Sequence, residues 1–411
     1  MSPLALAMGR PSSRGGSSVS VLRLTRAATR AQRAWMATEQ GSAPAATCAA
    51  TALEALEGGV LLDTAARYSS YHLCVRVLIL TDAFDAAGRA IAPLDERAGA
   101  CAAAYRAELA LRTGRVGDAE RWAVRALELA REPQPGPFAG DAIAVLVSAH
   151  AERGAFREAE RLIHACRAPH STRLRHARAR LMLAEGRFED AYAEASEVGA
   201  RRERQGRPNP TWDGWRSTAA IALAHLGRGA EATELAEAEL AAARAFGARV
   251  PIARALAARA VAEPDHRARA ELCAHGLTEL GDRPAGLASV RLTLELGSAL
   301  ARSGHRAQAR EALRPALADA DRLGAVRLAQ RARRELVATG VRPRRAATEG
   351  DAALTPRQRE ICELAAAGKG NRAIASELFV SIKTVETHLA AAYRKLGVGT
   401  RAGLAACLGI A

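Results

Sequence analysis

Near the C-terminus, Lys383, Glu386, Thr387, Ala390 and Arg394 recur at helical intervals. At about 100° per residue they form one narrow stripe. Val385, Leu389, Ala392 and Leu396 form an apolar stripe on the other side. A short polar stripe without bulk suits hydrogen bonding in a groove rather than bond breaking. A carboxylate can accept from cytosine N4, and a threonine can meet a thymine methyl or a polar edge. Lys383, Glu386, Thr387 and Ala390 are the candidate base readers. Thr384, His388, Arg394, Lys395 and Arg401 are the candidate phosphate contacts. A small helical cap with a solvated face has the same spacing, and the spacing alone leaves both readings open.

Four short helices must position that stripe. Thr355, Pro356 and Gln358 form an N-cap, a first-turn proline and a capping-box partner. The first helix is predicted to reach Ala367 and stop at Gly368. Asn371 is expected to cap a second helix carrying Ile374, Ala375 and Leu378, with Phe379 and Val380 as a tight connection. Ser381 should cap the third helix, which ends at Gly397, and Thr400 a last one through Leu408. Two short helices joined so tightly suggest a helix-turn-helix whose third helix is the reader. The last helix presents Leu404, Ala405 and Leu408 as an apolar face for dimerisation.

This stretch resembles the LuxR-type DNA-binding domain along its length. The matching pieces are Leu354 to Arg357, Arg359-Glu360, Ala367-Gly368, Asn371, Ile374-Ala375, Leu378, Ser381, Lys383 to Val385, His388 and Arg394 to Val398. The resemblance implies a transcriptional regulator that reads double-stranded DNA in the major groove. It also implies a homodimer on DNA, since relatives often pair through the last helix. Ala390, Ala392 and Cys362 depart from the usual pattern, which bears on the operator sequence rather than on the class.

Composition narrows the rest. Of 411 residues 49% are hydrophobic but only 4% aromatic, with a net charge of +15. An Ala/Leu/Arg/Glu-rich chain favours helix and offers little for sheets. The positive charge is compatible with a nucleic-acid partner. From Arg342 to Ala411 eleven Lys/Arg face six acids. Seven cysteines, none in a Cys-x-x-Cys pair, read as buried hydrophobes in a reducing compartment. No apolar run approaches the ~18 residues of a membrane helix, so the expectation is a cytoplasmic, nucleoid-associated protein without a membrane partner. No phosphate-cradling, dinucleotide, zinc-protease or nucleophile-elbow motif is present. The expectation is therefore no enzyme, no catalytic residue, no cofactor and no metal.

Residues 1–45 are Ser-, Gly- and Arg-rich and read as a disordered basic arm, with a weakly helical piece near Val21 to Met36. Residues 46–340 repeat. A helix ends at an anchor and a second opens with alanine five residues on: Asp82/Ala87, Gly114/Ala119, Gly154/Ala159, Gly186/Ala191, Gly227/Ala232, a degenerate Glu263/Ala268, and Gly304/Ala309. Anchors 32 to 41 residues apart predict a solenoid of helix pairs. The pattern resembles tetratricopeptide repeats, and a plain irregular bundle is the alternative. The concave face of such an array suits a protein or small-molecule effector. Between Ala200 and Thr218 the rhythm breaks at Trp212 and Trp215, which can clamp an effector or pack on helix ends. Residues 341–353 read as a linker, and 354–411 as the helix-turn-helix domain.

The whole chain thus resembles the C-terminal part of large LuxR-family regulators of the MalT-like kind, without their ATPase module. That points to a naturally shortened regulator or a truncated chain. The expected fold is all-α, a tetratricopeptide-like solenoid followed by a four-helix DNA reader. The expected function is sequence-specific transcription regulation under an effector. The rival is an interaction scaffold of helical repeats with a vestigial DNA-binding domain.

Overall fold

The computed structural model describes residues 18–62, 70–95, 98–130, 137–166, 171–281, 286–340, 356–378, 380–396, 398, 400 and 403–404. Among these the chain is all-α, with no strand. Its contacts divide it into two compact units, Met1–Val341 and Arg342–Ala411.

The first unit contains α1 (Ser18–Gln40), α2 (Ala45–Leu56), α3 (Ser70–Leu80), α4 (Phe84–Ile91), α5 (Gly99–Arg112) and α6 (Val116–Leu129). It continues with α7 (Pro137–Arg153), α8 (Phe156–Ala165), α9 (Thr172–Glu185), α10 (Phe188–Arg204), α11 (Trp215–His225) and α12 (Gly229–Phe246). Then follow α13 (Arg249–Ala262), α14 (His266–Leu280), α15 (Leu287–Arg302), α16 (Arg306–Arg322) and α17 (Val326–Ala338). The second unit contains α18 (Pro356–Ala366), α19 (Asn371–Glu377) and α20 (Ile382–Leu396).

The arm expected to be mostly disordered, with a weakly helical piece near Val21 to Met36, is corrected in part: the helix is longer and is packed. Residues 18–40 are helix α1, which packs on α2 and α3 and buries Ala27, Ala31 and Ala34. These alanines sit four and three residues apart, so one small-residue face lies on the neighbours. Arginines on the other faces masked that stripe in the composition. Residues 1–17 and the expected linker 341–353 lie outside the described residues.

The anchors form the turns inside the helix pairs. Gly114, Gly154, Gly186, Gly227 and Gly304 have φ between 77° and 89°. Asp82 stands at the same place with φ 59°, the only non-glycine with positive φ among the described residues. The left-handed turn reverses the chain. The partner alanines Ala87, Ala119, Ala159, Ala191, Ala232 and Ala309 are all fully buried. A larger side chain there would hold the paired helices apart. The Glu263 copy is different. Asp265 caps α14 by accepting from Ala268 N–H at 2.7 Å, and Ala270, not Ala268, is the buried alanine. An extended residue replaces the left-handed turn and moves the buried position by two residues.

Successive helices pack on each other, and alternate helices pack side by side from α5 through α7, α9, α11, α13 and α15 to α17. Helix pairs that met only their neighbours would form an open array. Here α17 returns to α7, and Val116 N–H donates to Leu323 O at 3.0 Å. Gly286, with φ 58°, lies so near α5 that a Cβ would strike the Arg112 carbonyl oxygen. The alternate helices therefore close into a ring. The 205–214 loop turns inward across it. Asn209 Nδ2 donates to Thr38 O at 2.6 Å, and Thr211 Oγ1 donates to Leu80 O.

Candidate nucleic-acid interface

The second unit has its own core. Ile361, Cys362 and Ala365 of α18 meet Ile374 and Ala375 of α19 and Val385, Leu389 and Ala392 of α20. Gly368, with φ 84°, ends α18, and Lys369 N–H returns to Leu364 O at 3.1 Å. The cap of α19 is Gly370 rather than the expected Asn371, which is the first helical residue. Glycine in an extended conformation serves as a cap with little loss relative to asparagine. The tight connection is tied by Val380 N–H donating to Ala375 O at 2.9 Å. Ser381 caps α20 as its sequence suggests: its Oγ accepts from Thr384 N–H at 3.0 Å. Thr400 Oγ1 likewise accepts from Gly403 N–H at 3.1 Å.

Burial of Val385, Leu389 and Ala392 sets the rotation of α20. Lys383, Glu386, Thr387, Ala390 and Arg394 are consequently exposed on one stripe, and Thr384 and His388 are half-buried on its flank. Thr387 Oγ1 donates to Lys383 O at 2.8 Å, which ties its hydroxyl back and directs its methyl outward. Ile382 was not singled out from sequence, yet it is 44% exposed at the start of α20. The sequence hid this: at about 100° per residue Ile382 continues the Val385/Leu389 face, and it is exposed although it is spaced like a core residue. An exposed apolar group beside a polar stripe can meet a thymine methyl.

Leu404 is corrected. It is fully buried in the core of this unit, so it packs the domain and is not part of an exposed pairing face. A small domain fills its core from every element it has, and the last helix supplies a leucine. Arg401, Ala405 and Leu408 lie outside the described residues, as does the side chain of Lys395.

Trp212 and Trp215 of the first unit are not brought together as a clamp. Trp215 lies on Gly199 of α10, where a Cβ would strike its ring, and packs on Ala179, Ala195 and Ala219. Trp212 meets Trp35 edge-on at 5.2 Å and carries the Arg202 guanidinium 5.1 Å from its ring centre. Its Nε1 is buried with no hydrogen-bond partner. Cys48, Cys74, Cys101, Cys273 and Cys362 are buried and in no disulfide among the described residues, and burial pushes Cys74 and Cys273 up to about 12. No helix among the described residues is long and apolar enough to cross a membrane.

Residues 352–408 match the family described as bacterial regulatory proteins, luxR family. The spore germination protein GerE of Bacillus subtilis is 52% identical over 48 residues, 12% of this chain and 65% of that protein. The transcriptional regulatory protein MctR of Rhizobium johnstonii is 46% identical over 56 residues, 14% of this chain and 26% of that protein. An HTH-type transcriptional regulator of Mycobacterium tuberculosis is 40% identical over 80 residues, 20% of this chain. The chain spans only 8% of the length of that mycobacterial relative. The matched residues coincide with the unit whose third helix turns a polar stripe outward, and residues 352–408 are thus a luxR-type (GerE) helix-turn-helix domain.

Proposed function

We propose that the chain is a sequence-specific, DNA-binding transcription regulator that inserts α20 into the major groove. The observation that carries this reading is the exposed stripe Lys383, Glu386, Thr387, Ala390 and Arg394 on a helix whose opposite face is buried. Two of the similar proteins are named as transcriptional regulators, which supports the same reading. The N-terminal part of a recognition helix approaches base edges, so Lys383, Glu386, Thr387 and Ala390 read bases. Arg394 lies about 16 Å further along the helix than Lys383 at 1.5 Å per residue, where it meets phosphate. Thr384 and His388 flank the stripe and serve the backbone. The protein acts on DNA as a homodimer, with Leu404 excluded from the pairing face, and the helical first unit receives the effector.

The test is affinity for a panel of single-base operator variants at several salt concentrations. Glu386→Ala should relax preference at one base pair, costing about 1–3 kcal/mol against the best site. Arg394→Ala should weaken all sequences alike and lower the salt slope by about one unit. If Arg394→Ala changed base preference while Glu386→Ala changed only overall affinity, α20 would not lie in the groove in this orientation.

A further inference from the structure

The ring of alternate helices encloses a cavity of about 680 Å³, within the range of small-ligand sites. It is lined from α5, α7, α9, α11, α13, α15 and α17, with Trp212 and Asp213 of the inward loop. Ten arginines and five carboxylates line it, and Asp82, Asp141 and Glu239 behind the lining pair with Arg112, Arg173 and Arg254. A guanidinium left without a carboxylate in a partly closed space loses hydration that nothing replaces.

Positive charge outnumbers negative around Glu152 of α7. Arg180 of α9 bonds its Oε1 at 2.7 Å, and Arg291 of α15 bonds the same oxygen. Glu152 Oε2 is buried with no hydrogen-bond partner. Two guanidinium groups thus share one carboxylate oxygen. Arg327 of α17 belongs to the same group but has no carboxylate. It donates to Ala184 O at 2.9 Å and lies over the Phe156 ring. Among the described residues neither Arg327 nor Arg334 has an ion pair, although both line the cavity. The electrostatics agree. Burial lowers Arg180 to about 10 despite Glu152, and Arg291 and Arg254 push the same way. Burial also lowers Arg327, against Glu152, with Arg291, Arg334 and Arg331 adding to the fall. Each of these cations would gain from an anion brought from outside.

One turn along α9, about 6 Å away, His176 Nε2 lies 3.1 Å from Thr218 Oγ1 and His176 Nδ1 lies 3.9 Å from Asp213. The cavity therefore offers guanidinium forks near Glu152 that lack a carboxylate of their own, in a lining that also holds alanine, valine and leucine side chains.

We infer that this cavity binds a small molecule carrying a phosphate group, whose oxygens are held by Arg291, Arg327 and Arg334. Several converging guanidinium forks match a tetrahedral multivalent anion through paired N–H donors. The apolar lining takes the carbon body. The inference rests on the effector reading of the first unit and gives that effector a chemical class.

Calorimetric titration of the full chain with pyrophosphate, in about 0.15 M chloride, tests it. Saturable binding is expected, weakened about tenfold in Arg327→Gln and in Arg334→Gln. Arg334 is exposed, so its variant keeps the test valid should Arg327→Gln disturb the ring. Arg314→Gln, an exposed change outside the cavity, should leave the affinity as it was. Equal binding by all three variants would overturn the site, as would binding that fell with salt like that of any basic protein. Citrate binding through Arg327 without pyrophosphate binding would overturn the phosphate assignment. DNA affinity is then measured with and without pyrophosphate. A change abolished by Arg327→Gln supports transmission from the cavity. Cavity binding with no change in DNA affinity would support the site and overturn the effector reading.

Discussion

The two units use charge in opposite ways. In the first, Glu108, Glu152, Glu194, Asp213, Glu239 and Glu295 are buried, and each meets an arginine from another helix or from the inward loop. In the second, α20 turns Lys383, Glu386 and Arg394 to solvent, and among the described residues none of the three is in an ion pair. A buried charge must find its partner as the chain folds, or it leaves a penalty of several kcal/mol. An exposed charge stays hydrated, contributes little to stability, and can exchange water for a phosphate or a base edge. The same residue types thus hold the ring together in one place and remain available in the other.

The largest expected effect breaks a buried pair. Arg202 and Asp213 have side chains only 6% and 4% exposed. Asp213→Ala would leave the guanidinium buried without its carboxylate and should cost about 3–5 kcal/mol, read from the denaturant midpoint of the full chain. Glu386→Ala should move the same midpoint by less than about 0.5 kcal/mol. Equal losses would end the contrast between the units.

A pH series sharpens it. Burial holds the His176 imidazole down at about 3, although Asp213 pulls it upward. Burial, with Arg76, holds His72 at about 4. The unfolded chain would protonate both near pH 6.5. Their contribution is therefore complete above about pH 6.5 and is lost as pH falls toward the folded values, by up to about 1.4 kcal/mol per pH unit for each histidine. Asp213 adds a second loss further down. Burial favours its neutral form, but Arg202 and His176 hold it below the usual carboxylate range, so its contribution fades only below about pH 4. His176→Gln should flatten the decline between about pH 6 and 4. An unchanged slope would mean that these buried groups do not govern the acid limit of the first unit.

The smallest effect concerns the cap of the reading helix. Ser381→Ala removes the acceptor for Thr384 N–H and should cost about 1 kcal/mol, confined to the unfolding step of the second unit. Native-state amide exchange in α18 to α20, compared with α5 to α17, reads it. Equal loss of protection in both sets would show that the two units unfold as one.

Much of this was legible because the deciding interactions are local. The anchors Gly114, Gly154, Gly186, Gly227 and Gly304 announced left-handed turns, and their partner alanines announced close helix contacts. Both features depend on residues within one turn of each other. The rotation of α20 was legible for the same reason, since Val385, Leu389 and Ala392 define its inner face without knowledge of any neighbour. Misreadings arose where packing overrode composition. Helix α1 looked only weakly helical because its arginines outnumber the three alanines that anchor it. Leu404 looked available because nothing in its own segment shows that α18 to α20 leave space for it in their core.

The sequence by itself determined the helices, the turns between them and the outward stripe of the luxR-type domain, because 3.6-residue periodicity and capping are properties of neighbouring residues. Only the tertiary structure decided that α17 returns to α7, that the 205–214 loop turns inward, and that Glu152 is shared by Arg180 and Arg291. Glu152 and Arg291 are 139 residues apart in the chain. Each of the arginines looks, in its own helix, like one more solvated charge. Only closure of the ring brings them onto one carboxylate and strips part of their hydration, and that partial burial is what makes an ordinary surface residue gain from an anion.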